Sequence, residues 1–419
     1  MIRAPKGTKD VLPANSGAWQ YIEDKMRKIT AHYGFAEVRT PAFEHTELFL
    51  RGVGDTTDVV QKEMYTFNDK GDRSITLKPE GTAGVVRMFI ENGMNSLAMP
   101  LKMYYVNSPV FRYENPQSGR LREHHQFGVE FFGAQQPSAD AEVMLLAYNL
   151  LQSLGVHNAK ASINSIGCPN CRPQYNEILK QFLEEKLPHL CDTCKERFTR
   201  NPLRILDCKV ESCQHAIAGA PKSINYLCPE CDDHFATLQR YLTDLDVPFE
   251  IDTMIVRGLD YYTKTVFEFI ADLDGRSMAI CAGGRYDKLI ATCEGPDVPG
   301  VGFGMGEERL LILLQQQNLL PPQKPTVQIY LASFPDTLQN SFVLAQKLRT
   351  QGVGAEINHT GRSLKAQLKY ADKMDYPYMC VVGPDEVATG TFKIKHMQTG
   401  AEETVCLDDM AAYILKGGV

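Results

Sequence analysis

Two short runs carry residues able to do chemistry together: Arg257-Gly258-Leu259-Asp260-Tyr261-Tyr262 and Gly283-Gly284-Arg285-Tyr286-Asp287. Each mixes glycine, a fixed cation, a carboxylate and tyrosine. That mixture suits a wall where backbone comes close to a polar, aromatic or anionic ligand. Two further runs are related in character. Phe111-Arg112-Tyr113-Glu114 sets an arginine at the end of a β-prone run, where its rigid fork can grip an anion with two bonds. Gly302-Phe303-Gly304-Met305-Gly306-Glu307-Glu308-Arg309-Leu310 repeats glycine along a strand-like run and then turns helical, a pattern that lets a nucleotide approach the backbone. No Gly-Lys-Ser/Thr follows, so this is not a phosphate-cradling Walker loop.

Of twelve cysteines, eight lie between Cys168 and Cys231. They form the pairs Cys168/Cys171, Cys191/Cys194 and Cys228/Cys231, each Cys-x-x-Cys, together with Cys208 and Cys213. Each pair offers two sulfurs at the reach of a tetrahedral zinc ion. Two sites of four cysteines are numerically available, but the spacing does not fix the pairing. His189, His215 and His234 are alternative ligands, and a reduced, metal-free domain is the competing reading.

Elements must position these groups. Ile22, Met26, Ile29 and Tyr33 give residues 17–33 a helical stripe, with Ser16 to cap its start and Gly34 to end it. A strand-like run follows and stops at Pro41. Residues 104–113 and 127–133 read as strands joined by a long loop from Glu114 to Gln126, and residues 138–154 as a helix. Val266–Ile270 and Met278–Cys281 are further strands. Strands in succession with few helices between them favour an antiparallel sheet and an α+β class. After the stiff break Pro321-Pro322-Gln323-Lys324-Pro325, strands alternate with helices over about ninety residues, which indicates a small α/β domain. A helix over residues 363–374 carries Lys365, Lys369 and Lys373, with Arg362 beside them.

The 419 residues suggest two or three domains, and 43% apolar with 23% charged residues is a globular balance. No apolar stretch is long enough for a membrane span, and the N-terminus has neither a secretory nor a transit character. The chain reads as cytoplasmic. Its net charge of −7 supplies no overall cationic field for nucleic acid, and any such contact must be local. Arg197 to Arg204 is one locally basic segment.

Taken together, Arg257–Tyr262 and Gly283–Asp287 resemble the two signature segments of histidyl-tRNA synthetases. The helix–strand–proline arrangement ending at Pro41, Phe111–Glu114 and Gly302–Leu310 resemble the three class II synthetase motifs. The resemblance implies a class II antiparallel-sheet catalytic domain over residues 1–322. A cysteine-rich insertion would fall at about 166–245, and a C-terminal α/β anticodon-binding domain over 326–419. It implies activation of L-histidine by ATP with Mg²⁺, then transfer to the 3′ end of tRNA(His), by a homodimer paired through the first motif. Arg112 and Arg257 would meet the α-phosphate as the catalytic cations. Glu114, Arg120, His124 and Arg309 would hold ATP, with Arg120 and Arg122 also candidates for the tRNA end. Glu80, Thr82, Gln126, Glu130, Tyr261, Tyr262 and Tyr286 would enclose histidine. The insertion would lie over the acceptor stem.

The chain departs from the family pattern at His124, where phenylalanine is usual, at Asn115 and Leu121 in the loop, and at Lys78 and Lys264, where arginine and glycine are common. The rival reading is a non-catalytic histidine-sensing regulatory paralogue, a type that usually lacks the anticodon domain and has eroded motifs. A third is a zinc-ribbon nucleic-acid module.

Overall fold

Leu101–Phe111 and Glu123–Phe132 pair as a long antiparallel hairpin. In this computed structural model, residues 1–54, 57–116, 119, 121–273, 275–322 and 325–417 are described. The chain forms two compact units, Met1–Pro321 and Pro322–Val419.

In the first unit an eight-stranded sheet runs in the order Ala36–Glu37, Leu101–Phe111, Glu123–Phe132, Gly300–Gly306, Arg276–Arg285, Thr263–Leu273, Lys160–Ser165, Phe249–Ile251. Its inner pairings are antiparallel and only the two edge pairings are parallel. The sheet has two chemically different faces, because successive side chains on a strand point opposite ways. Phe127, Val129, Phe131, Val301, Phe303, Met305, Phe267 and Phe269 enter one core, which takes in Ile22 and Met26 and the buried face of helix Pro137–Ser153. Each fully buried side chain of this size contributes about 1.5–3 kcal/mol. The residues between them (Gln126, Gly128, Glu130, Gly302, Gly304 and Gly306) are left for the other face.

The first helix spans Pro13–His32, four residues earlier than the sequence expectation, and Leu12 rather than Ser16 precedes it. Pro13 starts it with a pre-set φ. Ser16 instead bonds back to the Pro13 carbonyl at 3.0 Å. Gly34 ends it at φ +73°, as expected. The following strand shrinks to Ala36–Glu37, at the sheet edge. The return strand of the hairpin begins at Glu123, so the expected loop is shorter and Gln126 lies within the strand.

The cysteine-rich segment leaves the strand Lys160–Ser165 and builds helices Arg172–Glu184, Asp192–Arg200, Glu211–Ile217 and Pro229–Asp244 before returning at Phe249–Ile251. Tyr175, Leu179, Leu183, Leu203 and Ile205 are buried in the second core, with Val266 of the sheet and Tyr286 just after the strand Arg276–Arg285.

The second unit holds a five-stranded sheet in the order Ala355–Ile357, Ile329–Ser333, Tyr378–Val382, Thr391–His396, Glu402–Cys406. Its first three strands are parallel and its last two antiparallel. Helices Leu338–Thr350 and Leu364–Lys373 are its main crossovers, so Arg362 lies just ahead of the basic helix rather than on it. A short helix, Pro384–Thr389, has no counterpart in the sequence reading. Among the described residues no helix is long and apolar enough to cross a membrane.

Candidate active site

The glycine rows explain why polar groups can gather on the open face of the sheet. Gly302 pairs with Glu130 on one side and with Gly284 on the other. A methyl group on Gly302 would lie 2.5 Å from Glu130 Oε2, and one on Gly81 would lie 2.5 Å from the Tyr105 ring. These glycines leave room for a buried carboxylate and its phenols.

Glu130 is fully buried. Thr82 Oγ1 donates to its Oε1 at 2.8 Å, Tyr105 OH approaches the same oxygen at 3.4 Å, and Tyr286 OH donates to Oε2. Burial pushes Glu130 up to about 8, against the lowering effect of Tyr286 and Thr82. Glu80 sits beside it, its carboxylate taking the amides of Thr82 at 2.8 Å and Ala83 at 2.6 Å, where helix Thr82–Glu91 begins. Burial raises Glu80 too, partly countered by those amides and by Arg112. Tyr261 OH reaches Glu80 Oε2 at 3.4 Å. The rings of Tyr261, Tyr262 and Tyr286 pack together with centroids 4.7–6.5 Å apart. Two carboxyl groups and four phenols thus share one largely buried cluster.

Next to it opens a cleft of about 550 Å³ whose lining includes Arg112, Glu114, His124, Gln126, Arg257 and Arg309. Arg112 is steadied by a bond from its Nε to the Pro79 carbonyl at 2.8 Å. Arg257 lies at φ +61°, ion-paired with Glu268, with its guanidinium 5.9 Å from the Tyr262 ring centroid. Arg309 lies in the first turn of helix Glu307–Gln316 and bonds to the carbonyls of Gly119 at 3.2 Å and Ala279 at 3.0 Å. His124 is held down at about 3 by burial and by the nearby cation of Arg112, so it is neutral near pH 7. The cleft therefore joins three guanidinium groups to a neutral ring and leads toward a polar, buried end.

The structure gathers Arg112, Glu114, Gln126, His124, Arg257 and Arg309 around the cleft, and Glu80, Thr82, Glu130, Tyr261, Tyr262 and Tyr286 in the cluster. Arg120 lies outside the described residues. Arg285 is a correction to the opening sequence reading: it is fully buried and faces away, bonded to Asp140, Asp287 at 3.0 Å and the carbonyls of Ala134 at 2.8 Å and Gln136 at 3.2 Å. Charge pairing deep in the fold claimed it. Within the basic segment Arg197–Arg204, Arg200 is exposed and the other two arginines are engaged inside the fold. Arg197 is paired with Asp58, and Arg204 is buried and donates to the Arg257 carbonyl.

Sequence reasoning missed Tyr105, Glu268 and Glu308. Glu308 accepts the His125 amide at 3.0 Å and its ring at 2.9 Å, tying the helix after the glycine strand to the return strand of the hairpin. Tyr105 sat unnoticed in an apolar run, and its only signal was the glycines it needs opposite, Gly81 and Gly128. Lys264 occupies φ +50°, which accounts for a glycine being usual there. Lys78 is buried and bonds Ser108 Oγ at 2.8 Å, with burial lowering it to about 8.

The eight cysteines form two groups, Cys168/Cys171/Cys228/Cys231 and Cys191/Cys194/Cys208/Cys213, and each set of sulfurs lies within 4.8 Å of one another. None of the three candidate histidines joins either group. His234 instead lies 3.4 Å from Asp140.

The family model "Histidyl-tRNA synthetase" matches residues 7–310, and "Anticodon binding domain" matches residues 328–417. The chain is 53% identical over 415 residues to a histidine–tRNA ligase of Caldanaerobacter subterraneus subsp. tengcongensis, covering 99% of each protein. It is 51% identical over 414 residues to one of Caldicellulosiruptor bescii, covering 99% of this chain and 98% of that one. Among solved structures, apo S. aureus histidyl-tRNA synthetase aligns with a TM-score of 0.84 at 37% identity, covering 99% of this chain and 100% of the other. With a family match across most of the first unit and relatives of this similarity along its whole length, the chain belongs to the histidyl-tRNA synthetase family.

Proposed function

We propose that this chain is a histidine–tRNA ligase: it joins L-histidine to ATP as histidyl-adenylate, releasing pyrophosphate, and passes histidine to the 3′ end of tRNA(His). The observation that carries the reading is Glu130, a buried carboxyl group among Thr82, Tyr105 and Tyr286, set beside a cleft lined by Arg112 and Arg257. Imidazole has one donor and one acceptor nitrogen, and a carboxylate with phenols can satisfy both. An apolar amino acid would leave these groups unpaired and be rejected. Histidine enters with its ring toward Glu130 and Tyr286, and Tyr261 and Tyr262 close over it. Its α-amino group meets Glu80, Thr82 and Gln126.

Arg112 and Arg257 take the α-phosphate from two sides and stabilise the charge that grows there during attack by the histidine carboxylate. His124 stacks on adenine as a neutral ring, and Arg309 covers its other face and reaches the γ-phosphate. Glu114 and Arg120 complete the ATP contacts. Glu268 and Glu308 also line the cleft. With Glu114 they are hard oxygen donors of the kind Mg²⁺ takes beside phosphate. The second unit binds the anticodon, and its exposed Lys365, Lys369 and Lys373 are the phosphate contacts. The enzyme acts as a cytoplasmic homodimer. Retention of both arginines and of an anticodon-type domain counts against a histidine-sensing regulatory paralogue.

The test is ATP–pyrophosphate exchange on the purified chain with each amino acid in turn. Exchange that requires histidine supports the reading. Histidine binding by calorimetry with no exchange would replace it with the regulatory one.

A further inference from the structure

The two cysteine groups are far apart in sequence but each is closed in space. Cys168 Sγ lies 3.8 Å from both Cys171 Sγ and Cys228 Sγ, and Cys171 Sγ lies 3.8 Å from Cys231 Sγ. In the other group Cys191 Sγ and Cys208 Sγ are 3.9 Å apart. Four sulfurs around one zinc at about 2.3 Å sit about 3.8 Å from each other, by tetrahedral geometry. A disulfide would need about 2.05 Å. A cluster carrying its own sulfides would need a wider cage. The spacing therefore fits one ion per group.

The surroundings are those of bound thiolates. The Cys168 amide donates to Cys171 Sγ at 3.2 Å, the Asn170 amide points to Cys168 Sγ at 3.4 Å, and the Cys191 amide donates to Cys213 Sγ at 3.1 Å. Helices Asp192–Arg200 and Pro229–Asp244 each begin inside a Cys-x-x-Cys pair, and Arg172–Glu184 begins directly after one with Cys171 at its cap, so their positive ends face the sulfurs. Gly167 is at φ +71°, and a methyl there would lie 2.7 Å from Cys171 Sγ. The turn is shaped around that sulfur.

We propose that the chain holds two structural zinc ions, one on Cys168, Cys171, Cys228 and Cys231, the other on Cys191, Cys194, Cys208 and Cys213. The two sites have different tasks. The first ties the entry of the cysteine-rich segment to its last long helix. Its Gly167 carbonyl accepts the Lys264 amide at 2.9 Å, and Arg172 reaches the Tyr262 carbonyl at 2.6 Å. It thus braces the strand start behind the tyrosine cluster. The second fixes Cys208, which stands between Asp207 and Lys209 on the cleft wall. In the preceding turn, Arg204 bonds the Arg257 carbonyl. Each site carries four thiolates against a divalent ion, for a net charge of −2.

The experiment is elemental analysis of the full-length protein after exhaustive dialysis, followed by alkylation mapping of the native protein by mass spectrometry as a zinc chelator is added. Two zinc ions per chain are expected. The eight cysteines should resist alkylation and then become reactive as two sets of four, with the memberships given above. The protein reconstituted with Co²⁺ should show the d–d bands of tetrahedral four-sulfur coordination. Absence of metal with all eight thiols reactive, iron in place of zinc, cysteines joined as disulfides, or any other grouping of the released thiols would overturn the proposal.

Discussion

Arg257, at φ +61°, is ion-paired with Glu268 on the neighbouring strand, and its carbonyl is held by Arg204. A non-glycine residue in the left-handed region costs about 1 kcal/mol or more and persists where its surroundings fix it. Here both ends of the residue are fixed, which aims the guanidinium into the cleft. Arg257→Ala is expected to lower histidine-dependent pyrophosphate exchange by about 100-fold or more, since a charge aimed at the reacting phosphate is lost. Glu268→Gln keeps the cation but loosens its aim, and a fall in kcat on the order of 10-fold is expected with little change in folding stability. An unchanged kcat in Glu268→Gln would show that Glu268 does not position Arg257.

Glu130 gives a pH signature of its own. Burial raises it from 4.5 to about 8, so the folded chain holds this proton more tightly than the unfolded chain does. Its contribution to stability is therefore full below about pH 4.5 and is lost as pH rises toward 8. Glu130→Gln removes that dependence. Relative to wild type, the variant should gain on the order of 1–3 kcal/mol between pH 5 and pH 8.5 in urea unfolding, while histidine-dependent exchange falls by about 100-fold. A wild-type-to-variant difference that does not move with pH would rule out the buried proton.

His124 behaves in the opposite sense. Burial first, and the neighbouring Arg112 second, lower it to about 3, so the fold keeps it neutral while the unfolded chain protonates it below about 6.5. Its contribution to stability is lost as pH falls from about 6.5 toward 3. Its ring resonances should stay flat between pH 5 and 8. His124→Phe should leave the pH profile of exchange unchanged above pH 6 and remove part of the acid destabilisation. A titration of the His124 ring near neutrality would contradict this account.

Gly302 and Gly306 lie on one strand but make different demands. A methyl group at Gly302 would press on Glu130 and on the Val129 carbonyl, whereas at Gly306 nothing lies within 4 Å. Gly302→Ala is expected to destabilise by about 3 kcal/mol or more and to disturb the Glu130 cluster. Gly306→Ala should fall within about 0.5 kcal/mol of wild type. Thermal melts of the pair decide it, and equal effects would mean that the glycines are not there for space.

Much of this protein is written locally. Helical and strand periodicity gave the long hairpin, the helix after it, the glycine strand and the α/β pattern of the second unit. Chemistry-bearing residues sit in short motifs, so Arg112, Arg257, Tyr286 and Arg309 were legible as candidates, whereas Glu130 came only through the resemblance to the synthetase family. The Cys-x-x-Cys pairs announced metal-ligand chemistry in the same way. Local sequence carries these signals because a turn, a strand face or a two-ligand knuckle is decided within a few residues.

What remained hidden depends on which distant groups meet. The joining of Cys168 and Cys171 to Cys228 and Cys231 closes over the whole cysteine-rich segment. The selection of Arg285 by Asp140, of Arg197 by Asp58 and of Arg257 by Glu268 is likewise settled by burial. A charge removed from water must find a partner, and only the packed sheet and helices bring one within reach. The same packing put Tyr105 against Glu130, a contact that depends on two glycines from different parts of the chain. Sequence named the chemical groups, and tertiary structure decided which of them face the cleft and which hold the fold.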